Sequence, residues 1–204
     1  VLPPTPGEAK KKPLHMPVRL GLLGGNGQDI DLTLASGKRL EDGVIEVTKR
    51  TETYRFRDVP SRPVPSLLRG FSAPVNLTIA HSDADLQFLM ANDSDLYNRW
   101  QAAQDYATRV LVAAVKALRA GTRPAKPQAY VAALGVTLND ESLDPGYRAQ
   151  FMFLPSESDL ARIIGRDVDP LAIHNARQDL RKAVGTMLYD ALVDTYRKYE
   201  IRGP

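Results

Sequence analysis

The chain has 204 residues, no cysteine, three histidines and a formal net charge of +3. Without cysteine, disulfides and thiolate metal sites are excluded, and the composition fits a reducing compartment, so a cytoplasmic location is expected. So small a basic excess argues against nucleic-acid binding: Lys10, Lys11 and Lys12 form the only tight basic run, with no aromatics interleaved. No apolar run reaches the ~18 residues needed to cross a bilayer, and "VLPPTPGEAKKKP" lacks a signal peptide's apolar centre.

The first 80 residues read as short strands. "PVRLGLL" (17–23) leads into Gly24, Gly25, Asn26 and Gly27, residue types that supply the positive φ of a hairpin turn. "QDIDLTLA" (28–35) alternates, with Ile30, Leu32 and Leu34 on one face and Asp31 and Thr33 on the other. "GVIEVT" (43–48) and "TYRFR" (53–57) are two more candidate strands. "PVNLTIA" (74–80) closes the set with Val75, Leu77 and Ile79 on one face, and Pro74 opening it. Short strands spaced about ten residues apart indicate a small antiparallel sandwich.

At His81 the period changes to that of helices. Ser82 and Asp85 form a capping box ahead of Leu86, Leu89 and Met90. Leu96, Trp100, Ala103, Ala107, Val110, Leu111, Ala114 and Leu118 then recur at three- and four-residue steps, and Gly121 stands where a C-cap belongs. Shorter helices are expected over 128–134, 146–153 and 157–164, the last with Ser156 as N-cap and Asp159 at the third position. A final helix starts at Asp169 and Pro170 and is expected to run to Tyr199, burying Leu171, Ala176, Leu180, Ala183, Met187, Leu188, Ala191 and Leu192. The fold class is therefore α+β in two modules: an Ig-like antiparallel sandwich over 1–80, then an irregular all-α array over 81–204.

No pattern for self-contained catalysis is present. His15, His81 and His174 stand apart, and none begins the His-Glu-x-x-His spacing that places two imidazoles on one helix face. "GLLGGNGQ" is not followed by Lys-Ser or Lys-Thr, so a hairpin fits it better than a phosphate loop. No Gly-x-Ser-x-Gly elbow occurs. Asp83, Asp85, Asp93 and Asp95 lie at helix starts, where negative charge complements the dipole. Trp100 falls on an apolar stripe, while Asn98 and Arg99 beside it are candidates to contact a neighbouring module; a guanidinium suits a structural ion pair there. Catalytic and metal-ligating residues are both expected to be none.

Three blocks, "PPTPGEAKKKPLHMPVRLGLL" (3–23), "PVPSLLRGFSAPVNL" (63–77) and "SDADLQFLMANDSDLYNRWQAA" (82–103), resemble bacterial aminopeptidase N in order and rough spacing. That family comprises zinc-dependent gluzincins that remove residues from peptide N-termini. The resemblance covers nearly the whole chain, weakening after about residue 120, and Leu96 stands where the family has proline. It implies a β-sandwich plus the first part of a helical domain that is truncated at its C-terminus. The zinc-binding motif, its downstream Glu and the substrate motif are absent, so no family catalytic or zinc residue maps onto this chain. The resemblance further implies that "SLLRGFSAPV" is a structural corner between domains. Arg69 would tie it to a carbonyl or carboxylate, Gly70 would permit an awkward backbone angle, Phe71 would anchor it by burial, and Pro74 would start the last strand. Implied partners are the catalytic domain of the same parent chain, which holds the zinc, and peptides in the full-length enzyme, with no nucleic acid or membrane. The alternative is a free-standing protein-interaction module without enzymatic activity.

Overall fold

A computed structural model describes residues 6–7 and 14–200, so the Lys10–Lys12 run lies outside the described residues. The chain forms two compact units: one holds the residues up to His81 together with Asn92–Arg99, the other Ser82–Ala91 and the residues from Trp100 onward.

The first unit is built on β1 (Met16–Leu23), β2 (Thr33–Leu34), β3 (Val44–Val47), β4 (Phe56–Arg57) and β5 (Val64–Leu67). β1 is central in a three-stranded antiparallel sheet ordered β3-β1-β5, and β2 pairs with β4 in a second. The first half of β1 registers on β3, with Met16 opposite Val47, and its second half on β5, with Leu23 opposite Val64. The Gly-rich segment after β1 is a hairpin turn: Gly27 takes φ 78° and donates to the Gly24 carbonyl, and Gly24 donates to Gln28. Leu20, Leu22 and Leu32 form the core, flanked by Ile30, Leu40, Ile45, Phe56 and Leu67 from both sheets. Ile30 and Leu32 face this core with Asp31 exposed between them, as the alternation predicts, but the pattern lapses at Thr33 and Leu34, which are equally half-buried.

The strand expected at 74–80 does not form, and Val75 and Leu77 are exposed. The outer edge of β5 explains why. Pro65 has no N–H to offer, its carbonyl meets His81 Nε2 at 3.0 Å, and the Leu67 carbonyl accepts from Asn98 Nδ2 at 2.8 Å. Side chains hold the carbonyls that another strand would need. Pro74 therefore opens an unpaired segment, not a strand. The strands expected at 28–35 and 53–57 shorten to β2 and β4; Asp29 makes only an isolated bridge to Leu23.

Helices dominate the second unit: α1 (Asp83–Asn92), α2 (Leu96–Arg119), α3 (Gln128–Leu138), α4 (Pro145–Gln150), α5 (Glu157–Ile164), α6 (Pro170–Met187) and α7 (Tyr189–Tyr199). Their ends follow local chemistry. Ser82 N–H donates to Asp85 Oδ2 and Asp85 N–H to Ser82 Oγ, the reciprocal capping box. Asp144, Ser156 and Asp169 accept from Tyr147, Asp159 and Ala172 N–H groups. Gly121 at φ 67° closes α2 in a Schellman arrangement: its N–H reaches the Leu118 carbonyl, and Thr122 N–H reaches that of Ala117. The core gathers Leu86, Met90, Leu111, Val115, Tyr130, Leu134, Phe151, Leu160, Ile173 and Leu180.

Two expectations fail here. The final helix is not continuous: Leu188 (φ −109°, ψ 19°) separates α6 from α7. Gly135 on α3 leaves room for the Leu188 side chain, and Gly185 weakens the helix one turn earlier. The buried face of α6 runs through Ala172, Ile173, Ala176 and Leu180. That phase turns Leu171 and Met187 outward, leaving Leu171 68% exposed.

Tyr130 is fully buried, edge-on to Tyr106 at 5.6 Å, and its hydroxyl has no hydrogen-bond partner among the described residues. Burial pushes its phenol far above the ordinary value of 10.0. Tyr130→Phe deletes an unsatisfied polar atom without changing the ring, so it should raise stability by ~1 kcal/mol in urea unfolding. A loss of similar size would mean that the hydroxyl is bonded in solution.

Candidate functional site

A dense polar cluster lies in the first unit, at the corner after β5. Leu68 (φ 58°), Gly70 (φ 61°) and Phe71 (φ 54°) all take left-handed backbone angles around a single 3-10 turn, Arg69–Phe71. Only glycine adopts that region freely, so Leu68 and Phe71 are strained. The corner is held by specific bonds. Gly70 N–H donates to Asp95 Oδ2 (2.9 Å), Phe71 N–H to the Leu68 carbonyl (3.1 Å), and Arg19 N–H to Ser72 Oγ (2.9 Å). Asp95 is also the N-cap of α2, accepting from Asn98 N–H at 2.9 Å.

Arg69 turns inward from this corner. Its Nη1 and Nη2 grip Asp29 in a bidentate pair (2.9 and 2.8 Å), Nη2 also reaches Asp93 Oδ1 (3.0 Å), and Nε donates to Ser66 Oγ (2.9 Å). Asn98 Nδ2 donates to the same Ser66 hydroxyl, and Ser94 Oγ donates to Asp29 Oδ2 (2.6 Å). A planar guanidinium alone among side chains offers this fork. Gly21 in β1 makes room for it, since a Cβ there would overlap the guanidinium.

Electrostatics match the geometry. Burial alone would raise the Asp29 carboxyl, but hydrogen bonds from Arg69 and Ser94 and the Arg69 charge outweigh it and hold the group below 3.8. At Asp93, whose side chain has no exposed surface, burial wins and the carboxyl is raised. Burial would lower the Arg69 guanidinium, but Asp29, Asp93 and Asp95 hold it above its ordinary value. Arg69 pairs with both carboxylates, and Asp93 Oδ1 also accepts from Asp95 N–H, while the buried Asp93 Oδ2 has no hydrogen-bond partner among the described residues. The cluster is a clip closed around one guanidinium.

Of the corner residues picked out in the sequence, Arg69 pairs with two carboxylates and Gly70 supplies the left-handed angle. Phe71 corrects the expectation of anchoring by burial. It is 69% exposed, because its φ directs the ring outward, where it meets Tyr97 at 4.4 Å between centroids. Asn98 bonds Ser66 and Leu67 within the first unit. Arg99 is buried and Trp100 half-buried, on α2. Asp29, Ser66 and Ser94 belong to the clip but carry no motif. The available signal was Gly21, a glycine inside a strand, which marks close approach of another group.

The histidines do not converge. His15 lies 3.4 Å from Glu46, His81 meets the Pro65 carbonyl, and His174 Nδ1 lies 3.0 Å from Glu157. Among the described residues no group of three His, Cys, Asp or Glu is placed to hold a metal ion, so these side chains do not fit a zinc centre. A groove of about 460 Å³ beside the hairpin includes Asp29 and Asp58, but Arg69 engages the first and Arg57 the second (3.3 Å). No helix among the described residues is long and apolar enough to cross a membrane.

An Ig-like antiparallel unit followed by a helical array defines a two-module α+β chain. Residues 1–80 match a domain of unknown function (DUF3458) with an Ig-like fold, and residues 83–204 match a domain of unknown function (DUF3458_C) with ARM repeats. The chain belongs to this family and is homologous to a region of bacterial aminopeptidase N. It is 34% identical to aminopeptidase N of Escherichia coli over 194 residues, which is 95% of this chain and 22% of that protein. It is 37% identical to aminopeptidase N of Caulobacter vibrioides over 177 residues, 85% of this chain and 20% of that one. The crystal structure of Legionella pneumophila aminopeptidase A in complex with aspartic acid superimposes with a TM-score of 0.72 at 27% identity, covering 93% of this chain and 21% of the other. The chain thus spans about a fifth of the length of the relatives it matches.

Proposed function

We propose that this chain is a non-catalytic part of a zinc aminopeptidase that removes N-terminal residues from peptides. It serves as scaffold and chamber wall for a catalytic domain elsewhere in the parent chain. One observation carries this reading: 95% of the chain aligns with aminopeptidase N, yet accounts for only 22% of it. The buried Arg69 cluster fixes a corner of the backbone, which suits support. In this reading the domains are 1–80 and 81–204. Arg69, Gly70, Phe71 and Pro74 form the structural joint, and Asn98, Arg99 and Trp100 serve domain packing. Zinc belongs to the catalytic domain, and the location is cytoplasmic, in line with the absence of cysteine.

The test is release of chromophore from aminoacyl arylamides. The purified chain should give no turnover with or without added zinc, whereas the full-length parent should turn over and lose activity to a chelator. Zinc-dependent turnover by the chain alone, or none by the parent, would sink the proposal.

A further inference from the structure

Resting on the scaffold reading, we propose that Phe71 and Tyr97, with Leu96 beside them, form an apolar knob that docks the first unit into an apolar pocket on the rest of the parent aminopeptidase. The three side chains are 69%, 44% and 50% exposed, and the Phe71 and Tyr97 rings touch in a tilted pair. Exposed aromatic pairs on a fixed backbone have the composition of interface hot spots, because large rings desolvate much surface with little loss of rotamer freedom.

The backbone beneath them explains why the rings stay outside. Phe71 is held at φ 54° between its own bond to Leu68 and the Gly70–Asp95 bond, and Asp95 in turn caps the helix that begins with Leu96 and Tyr97. One rigid element therefore presents all three side chains, and the Arg69 clip fixes it from behind. Strain at a non-glycine residue persists only where surrounding structure over-determines it, and such strain gathers at binding and switching positions. Here it turns an aromatic ring away from its own unit's core.

The lengths of the relatives point to the rest of the parent chain as the occupant. The matched region makes up 22% of the E. coli protein and 21% of the Legionella chain, so most of such a protein lies outside it. An apolar knob of this kind on a segment of a longer chain fits a pocket in that chain.

Hydroxyl-radical footprinting of unmodified proteins tests this without any substitution. Ring oxidation at Phe71 and Tyr97 is compared between the 204-residue chain and the full-length parent, with the radical dose normalised to an added dye. In the parent, modification should fall by about tenfold, since the centre of a docked interface excludes water. Equal modification in both proteins overturns the inference while leaving the scaffold reading intact, provided the parent is an active aminopeptidase. An inactive parent removes the scaffold reading whatever the footprint. Protection that rises with the concentration of the isolated chain assigns the knob to a second copy and also overturns the proposal.

Discussion

Replacing Arg69 with leucine is expected to destabilise the first unit by ~3–5 kcal/mol, because it strands buried charge without a partner. The Asp93 side chain has no exposed surface, Asp29 is partly covered, and Arg69 is the cation that pairs with both. Ser66 and Ser94 can reorient to help but cannot neutralise a carboxylate. The pH dependence gives the mechanism a signature. In the native protein Asp29 titrates below 3.8, so its contribution is present above that value and is lost as pH falls through the folded pKa. Asp93 titrates above 3.8, so its ionisation opposes folding, and that penalty is relieved as pH falls. Without Arg69 both folded pKa values rise. The folded variant then binds more protons than the unfolded chain, and its deficit against the parent sequence should shrink from pH 7 to pH 4. Amide exchange in β1 and β5, followed against urea at the two pH values, measures this. A deficit that does not change with pH would show that lost packing, not uncompensated charge, is responsible. Gly21→Ala, which crowds the guanidinium from β1, should give a smaller loss with the same pH signature.

The second large effect belongs to the helical unit. Phe151→Ala should lower its stability by ~3–5 kcal/mol, the range for emptying a fully buried aromatic site. Phe151 has no exposed surface and meets the Tyr147 ring edge-on at 5.2 Å. Its N–H donates to the carbonyl of Arg148, whose own side chain donates to the Leu138 carbonyl and the Tyr199 hydroxyl, both at 2.9 Å. The cavity therefore lies beside the bonds that tie α4 to the ends of α3 and α7. Phe153→Ala is the internal control. Its ring is 66% exposed, and a surface truncation should stay within ~0.5 kcal/mol. Trp100, the only tryptophan, lies in the same unit and reports its unfolding by fluorescence. Equal losses at 151 and 153 would mean that the burial of Phe151 is not maintained in solution.

Local chemistry was legible wherever a short-range rule governs the backbone. Ser82 with Asp85, Ser156 with Asp159, Asp169 with Pro170, and Gly121 all fixed helix ends, because a cap is settled within four residues. The Gly24–Gly27 turn was readable for the same reason. Alternation marked Ile30 and Leu32 as inward, but it could not tell that 74–80 would find no partner. A strand needs an edge, and whether β5 offers one depends on Pro65 and on His81 and Asn98, which arrive from elsewhere in the chain.

The candidate site divides along the same line. Arg69 and Gly70 stood out as a cation and a flexible residue at a corner, so their roles were open to expectation. The outward turn of Phe71 was not, since a left-handed angle at a phenylalanine runs against its intrinsic preference and exists only because neighbouring bonds impose it. By itself the sequence determined the two-module α+β class, the helix caps and the absence of a His-Glu-x-x-His motif. Those follow from nearest-neighbour chemistry and period. Only the tertiary structure decided that Asp29, Asp93 and Ser66, up to 64 positions apart, converge on one guanidinium. Bringing such distant groups together costs chain entropy that no local pattern records, and it is repaid only once the surrounding core has formed.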